Sequence, residues 1–523
     1  MERPWLAHIA EGNPKEIEIP DVSLSGLFDQ SVETYANHTA ITFFSKSYTY
    51  RELAERINRA AAALSKLGVK KGDRVAIMLP NCPQYPISFY GALKCGATVV
   101  QLNPMFQPAE LLHILNDSGT KVLIMLDRLE PLFDAIKDRT SVEHALAVDL
   151  EKDYTEGTVA DVRQVDINPA EDAAVIQYTG GTTGLPKGAV LTHRNIVANT
   201  LQSVATGEIQ TKKGEERVLT ISPLFHVYGM TSGMCVTFYN GGNLILVPKF
   251  DVEQVVGLIE QTKPTAFPGV PTMYIALLDY HKKKKFDLSC LASCTSGSAP
   301  LPPEVLSRFN EVSGTSVAEG YGLSEASPVT HRNPVGGVQK NGSIGIPLPN
   351  TDAKIVDVAT GKQELPPGEV GELIIQGPQV MKGYWKQPEE TANAIRDGWL
   401  FTGDLAKMDE DGYFYIVGRK KEMILASGFN VYPIEVENVL YRHPAVLEAA
   451  VFGVPDEYRG ETVRAVAVLK EGSDVTEQEL IDFCRAELAA YKVPDTVLFV
   501  DELPKTAVGK ILKRTLKEQF KTV

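Results

Sequence analysis

Residues 74–127, RVAIMLPNCPQYPISFYGALKCGATVVQLNPMFQPAELLHILNDSGTKVLIMLD, decide how this chain is built. RVAIMLP (74–80), ATVVQLNP (97–104) and KVLIMLD (121–127) are apolar runs of strand length. Between them lie PQYPISFYGALKCG (83–96) and AELLHILNDSG (109–119), which have helical length and end on glycine. Strands separated by whole helices cannot pair as hairpins. They form a mostly parallel sheet covered by helices.

Working outward, the pattern persists. Upstream, YTYRELAERINRAAAALSKLG (48–68) sets Leu53, Ile57, Ala60, Ala61 and Leu64 at helical spacing before Gly68 stops it. Downstream, VEQVVGLIEQTKPTAFPGVP (252–271) repeats helix then strand. Between Gly342 and Val417 the chain turns β-rich, with AKIVDV, GELIIQG and GYFYIVG as short strands and Pro-Pro-Gly at 366–368 as punctuation. After GRKKE (418–422) the style changes to a small α+β unit. It reads PIEVENVLYRHP as helix, VLEAAVFGVP and ETVRAVAVLK as strands, and TEQELIDFCRAELA as helix. The fold class is therefore α/β, with a large N-terminal body of several subdomains (1–418) and a small C-terminal α+β domain (419–523). At 523 residues the chain exceeds what one core supports.

Bulk properties narrow the function. A net charge of −14 argues against a nucleic-acid binder working through a general basic surface. The short run Lys282–Lys285 reads as a solvated loop. Six sparse cysteines without His or Cys partners at ligand spacing read as reduced thiols in a cytoplasmic protein. Proline and charge interrupt the first twenty residues, so no signal-peptide core is expected there. No run is long enough to span a bilayer, and any membrane contact is expected to be peripheral.

The chemistry concentrates in Tyr178-Thr179-Gly180-Gly181-Thr182-Thr183-Gly184-Leu185-Pro186-Lys187-Gly188, directly after the apolar strand AAVIQ. Glycines let a backbone approach phosphate closely, threonines donate hydroxyl hydrogens, and Lys187 adds a charge. A surface turn has no need of clustered threonines and a lysine. The usual mononucleotide loop places Ser or Thr after its lysine to hold magnesium. Here Gly188 follows, which disfavours a kinase or GTPase and leaves the metal to be held elsewhere.

Further motifs follow in order: PLFHVYG (223–229), GYGLSE (320–325), TGD (402–404), GRKKEMILASGFNVYP (418–433) and PKTAVGKILKR (504–514). With the glycine-threonine loop they resemble the adenylate-forming superfamily, which includes acyl-CoA synthetases, adenylation domains and luciferases. The resemblance covers the chain from about Leu24 to Lys513.

It implies an acid:CoA ligase that forms an acyl-adenylate from ATP and a carboxylic acid, then transfers the acyl group to coenzyme A. Its implied site residues are these. Thr179, Gly180, Gly181, Thr182, Thr183, Gly184 and Lys187 meet the phosphates. Glu319, Gly320, Tyr321 and Ser324 meet the adenine and α-phosphate. Asp404 and Arg419 meet the ribose. Glu325 holds Mg2+. Lys510 offsets the charge that builds between carboxylate and α-phosphate. His226, Tyr228, Gly229, Val270, Gly297, Ser298, Gly322, Pro328 and Val329 wall the acid pocket. Lys421 marks the hinge, and Ser427 with Gly428 flank the CoA arm once the small domain has swung.

Read without the resemblance, several of these are ordinary. His226 would be a satisfied core histidine, Gly428 a turn glycine, and Lys510 one of several tail lysines. Acetate-specific relatives carry tryptophan where Gly322 stands, so a longer or wider pocket is expected. The mostly apolar wall favours a medium- or long-chain fatty acid. An aromatic acid of the coumarate type comes second and luciferase-like oxygenation a distant third. The motif after PLF lacks the aspartate of amino-acid-activating relatives, and no carrier module is expected. A catalytically silent nucleotide binder is the reading from a different class. The chain is expected as a monomer or homodimer.

Overall fold

The helix expected after residue 48 runs Tyr50–Lys66. Its start is set by a capping box: Thr49 Oγ1 accepts from the Glu52 amide at 3.2 Å, and Glu52 Oε2 accepts from the Thr49 amide at 2.8 Å. Leu53, Ile57, Ala60, Ala61 and Leu64 are all buried, as the 3.6-residue period requires. The neighbouring helix Gln84–Lys94 is buried nearly all round. A Cβ on its Gly91 would fall 2.8 Å from Ala60 Cβ, so glycine is what lets the two helices touch. The structure is a computed structural model, and it describes residues 3–159, 165–179, 186–207, 211–297, 299, 301–456, 458–506 and 509–520.

Four sheets organise the described residues. The opening stretch forms the centre of a seven-stranded sheet. Ala173–Thr179, Thr98–Gln101, Arg74–Met78, Val122–Leu126 and His144–Val148 run parallel in that spatial order. Lys187–Thr192 then folds back antiparallel on Ala173–Thr179. A nine-stranded sheet carries Arg217–Thr220, Ala266–Gly269, Ser293–Ser296 and Val317–Gly322 in parallel, and ends in an antiparallel turn to Val329–Arg332. Both sheets are thus parallel at their centres and antiparallel where they meet the site. The β-rich stretch forms an antiparallel sheet of Asp352–Val356, Gly371–Gln376, Trp399–Met408 and Phe414–Arg419.

The C-terminal domain has its own sheet and core. Ile424–Ala426, Phe429–Val431, Val446–Asp456 and Gly460–Leu469 are antiparallel, and Thr496–Phe499 joins in parallel. Helices Pro433–Arg442 and Glu477–Glu487 contribute Val436, Leu440, Leu480 and Cys484 to that core. Arg419, expected as the first residue of the small domain, pairs with Asp404 in the body's sheet. The chain leaves the body just after it.

The lysine run at 282–285 is exposed, as expected of a solvated segment, but its first two residues are helical. The helix Pro271–Lys283 extends into it, and Lys282 pairs with Asp279 at 3.0 Å. Positive charge at a helix C-terminus is favoured by the helix dipole. The six cysteines are unpaired thiols. Among the described residues no helix is long and apolar enough to cross a membrane.

Candidate active site

Body and C-terminal domain face each other across a cleft of about 1520 Å³. One end is built by sheet register. Asp404 and Arg419 are opposite partners on adjacent antiparallel strands, and Arg419 Nε lies 3.1 Å from Asp404 Oδ1. Tyr321 Oη donates to Asp404 Oδ2 at 2.5 Å. Asp404 is only 5% exposed, so a buried carboxylate is satisfied by a guanidinium and a phenol. Its charge in turn raises the Arg419 value, and burial with Asp404 raises the Tyr321 phenol. Thr402 braces the turn, accepting from the Asp404 amide at 3.1 Å and donating to the Leu373 carbonyl at 2.7 Å.

The residues expected to meet phosphate lie at the hairpin joining Ala173–Thr179 to Lys187–Thr192. Gly180, Gly181, Thr182, Thr183 and Gly184 fall outside the described residues, as does Ser298. Thr179 and Lys187 line the cleft. Lys187 is ion-paired with Glu390 and sits 5.4 Å from the centre of the Tyr384 ring. Tyr384 Oη donates to Glu325 Oε1 at 2.9 Å. Glu325 Oε2 has no donor among the described residues, which fits a single carboxylate ligand for Mg2+. Among the described residues no group of three or more His, Cys, Asp or Glu is placed to hold a metal by itself. Phosphate oxygens and water would supply the other positions, as Mg2+ prefers. Gly188 has a packing reason: its Cβ would meet Ile176 Cγ2 at 2.6 Å. A Ser or Thr there would collide, so the hairpin cannot carry the usual magnesium hydroxyl.

Of the residues expected to wall the acid pocket, His226, Tyr228, Gly297, Gly322, Pro328 and Val329 line the cleft, as does Gly320. Burial first, and the charge of Lys510 second, push His226 down to about 4, so it is a neutral imidazole at pH 7. Tyr228 Oη bonds Thr295 Oγ1 at 3.2 Å, and the open face of Gly297 lies against its ring. Gly322, expected to widen this pocket, and Gly229, expected in its wall, have a closer reason to be glycine. A Cβ on Gly229 would fall 2.2 Å from the Pro223 carbonyl oxygen, and one on Gly322 would fall 2.4 Å from that of Pro328. Backbone contact fixes both. Gly229 and Val270 do not line the cleft, and Glu319 does not either. The Glu319 carboxylate turns to the Leu301 amide at 3.1 Å, and burial raises it to about 7.

The C-terminal domain contributes Lys510. Of the four described lysines in the tail, Lys505 pairs with Glu448 (2.5 Å), Lys513 with Glu437 (2.7 Å) and Lys517 with Glu461 (3.4 Å). Lys510 has no carboxylate at such range. Burial and Arg419 hold its ammonium below the usual lysine value, against the opposite pull of Glu422 and Asp404. Its loop is closed by the Thr506 amide on the Lys510 carbonyl (2.8 Å) and the Lys510 amide on Thr506 Oγ1 (3.1 Å). Gly509, at φ +76°, meets the body at Thr272. Ser324 and Lys421 line the same cleft. Ser427 and Gly428 do not. They form the exposed turn of a hairpin, with φ +53° and +80°, the signature of a two-residue turn with both centres left-handed.

Three contributors escaped the sequence reading: Tyr384, Glu390 and Arg332. None stands in a recognisable motif. Tyr384 and Glu390 lie some two hundred residues from Lys187 and reach it only because Gly383–Tyr384 pairs with Lys187–Thr192.

Comparison with known proteins agrees with this architecture. The AMP-binding enzyme family matches residues 28–385, and the AMP-binding enzyme C-terminal domain matches 435–510. The long-chain-fatty-acid–CoA ligase of Bacillus subtilis (strain 168) is 46% identical, spanning 99% of this chain and 98% of that one. The feruloyl-CoA synthase of an Amycolatopsis species is 39% identical over 92% of this chain and 96% of that one. ATP-bound MatB from Rhodopseudomonas palustris superposes with a TM-score of 0.88 at 32% identity, covering 96% of this chain and 99% of its own. The apo form of MatB superposes with a TM-score of 0.77 at the same identity and coverage. The chain belongs to the AMP-binding enzyme family.

Proposed function

We propose that this protein is an AMP-forming acid:CoA ligase acting on fatty acids: ATP, carboxylic acid and CoA yield acyl-CoA, AMP and diphosphate. The observation that carries this reading is Lys510. It is the one described tail lysine without a carboxylate partner, and it enters the cleft between neutral His226 and the Asp404–Arg419 pair.

In the first step a carboxylate oxygen attacks the α-phosphorus, an acyl–O–P bond forms, and the bond to the β-bridging oxygen breaks as diphosphate leaves. Two anions must approach and charge moves onto the leaving group. An unpaired, desolvated ammonium at that point stabilises the transition state more than either separate ground state. Asp404 and Arg419 hold the ribose, Tyr321 the adenine and Ser324 the α-phosphate. Lys187 exchanges Glu390 for phosphate. A neutral His226 adds no like charge beside Lys510 and shapes the acid side. Mg2+ at Glu325, when bound, neutralises phosphate charge.

In the second step the CoA thiol gives up its proton and attacks the acyl carbonyl; a C–S bond forms and the C–O bond to AMP breaks. The first arrangement fills the cleft with Lys510. We place a hinge at Lys421, between the body strand ending at Arg419 and the domain strand beginning at Ile424. Rotation there removes Lys510 and brings in the Ser427–Gly428 turn.

The test is diphosphate release with ATP and Mg2+ across acetate, medium- and long-chain fatty acids, cinnamic acids and amino acids, each with and without CoA. Fatty-acid-dependent release, with thioester only when CoA is present, is the expected result. A preference for cinnamic acids would reassign the substrate as aryl. No acid-dependent release would leave a silent nucleotide binder.

A further inference from the structure

The acid side contains a cation that this mechanism does not use. Arg332 ends the strand Val329–Arg332, opposite Gly320 in the antiparallel pairing, and lines the cleft. Its Nη1 donates to the Ser203 carbonyl at 3.1 Å and to Thr206 Oγ1 at 3.0 Å. Those acceptors lie at the C-terminal end of the helix His193–Ala205, where positive charge is favoured. That accounts for one nitrogen of three. Nε and Nη2 have no acceptor among the described residues, and no carboxylate there pairs with the side chain. Three other cleft cations do have carboxylate partners: Lys187 has Glu390, Lys420 has Glu372 and Arg419 has Asp404.

Arg332 is also half-buried. Burial lowers its value, and its charge falls on the Tyr228 phenol, the aromatic wall of the acid pocket. With no side chain on Gly320, nothing from the facing strand position covers the guanidinium. A saturated alkyl chain seated over two unmade donors would seal them from water without a partner, which is costly. A second carboxylate at the far end of the acid would meet them with a planar, two-oxygen match.

We propose that Arg332 is a specificity residue that binds the distal carboxylate of an α,ω-dicarboxylic acid, the carboxyl near His226 and Lys510 being the one activated. This rests on the acid:CoA ligase reading and refines its substrate class.

The experiment compares kcat/KM for diphosphate release with dicarboxylic acids from succinate to sebacate and the monocarboxylic acids of equal length. Wild type is expected to favour the diacid by about tenfold or more at the matching length, since a site holding buried polar groups rejects ligands that leave them unpaired. In Arg332→Met the diacid value falls and the monoacid value rises, so the order inverts. In Arg332→Lys, which keeps the charge but not the fork, the preference narrows. A folding defect would lower both acids together, and the wild-type comparison stands without any variant. Monoacid preference at every length in wild type overturns the proposal while leaving the ligase reading intact. No diphosphate release with either class overturns both.

Discussion

The two ends of the cleft are held in different ways. At the end proposed to take the ribose, Asp404, Arg419 and Tyr321 come from strands of the body, and the register of adjacent strands fixes two of them opposite each other. At the transfer end, Lys510 comes from a loop of a domain with a separate core, closed by local bonds to Thr506. On the proposed mechanism, what both half-reactions share is built on a sheet of the body, and what one half-reaction needs and the other must lose is carried on the separate domain. Preorganised groups need rigid support, whereas an exchangeable group needs a separable one.

The largest expected effect breaks the transfer end alone. Lys510→Ala should lower adenylate formation by about a hundredfold or more, the scale for removing one transition-state charge partner. It should spare thioester formation from supplied acyl-adenylate. Measuring the half-reactions separately checks this, and equal loss of both would contradict the proposed domain exchange.

Breaking the ribose end should act on everything at once. Asp404→Ala leaves Arg419 without its counter-charge and Tyr321 without its acceptor. Both half-reactions should weaken, and denaturant melts should show a loss of about 1–3 kcal/mol, reduced from the fully buried case because Arg419 is partly exposed. An intact melt with impaired turnover would assign Asp404 to substrate alone.

Gly428→Leu should reverse the first result, with adenylation retained and transfer to CoA reduced. Gly428→Ala serves as its partner, since it carries most of the left-handed strain, about 1 kcal/mol, without the bulk. Equal behaviour of the two would remove Gly428 from the CoA path.

The smallest effect concerns Glu319, outside both ends. Its folded value of about 7 lies above the ordinary glutamate value of 4.5, so its cost is absent in acid, grows between those two values and is complete above 7. Glu319→Gln keeps the acceptor for Leu301. It should raise the melting temperature by a few degrees at pH 8 and hardly at all at pH 5. A shift of equal size at both values would refute the buried-charge account.

Much of the frame was legible because it depends on periodicity. The strands and helices of 74–127 appear where their apolar runs stand, and the Tyr50–Lys66 helix buries the stripe its spacing gives. At 282–285 polarity indicates a solvated loop, which holds for Lys284 and Lys285, but the helix dipole favours charge at a helix C-terminus and Lys282 and Lys283 remain helical. Motifs indicated His226, Glu325, Asp404 and Lys510. They did not reveal why Gly188, Gly229 and Gly322 must be glycine, since the contacts that demand it come from the backbone or from side chains on neighbouring strands. Nor did they indicate Tyr384, Glu390 or Arg332, which join the cleft through strand pairing between segments far apart in sequence.

The measurement that tests the account most directly is exchange of labelled diphosphate into ATP with acid and Mg2+ but no CoA. The account predicts acid-dependent exchange, because an acyl-adenylate forms reversibly before the thiol is needed, and that exchange should vanish in Lys510→Ala. Exchange that requires CoA, or release of ADP in place of AMP, would contradict it.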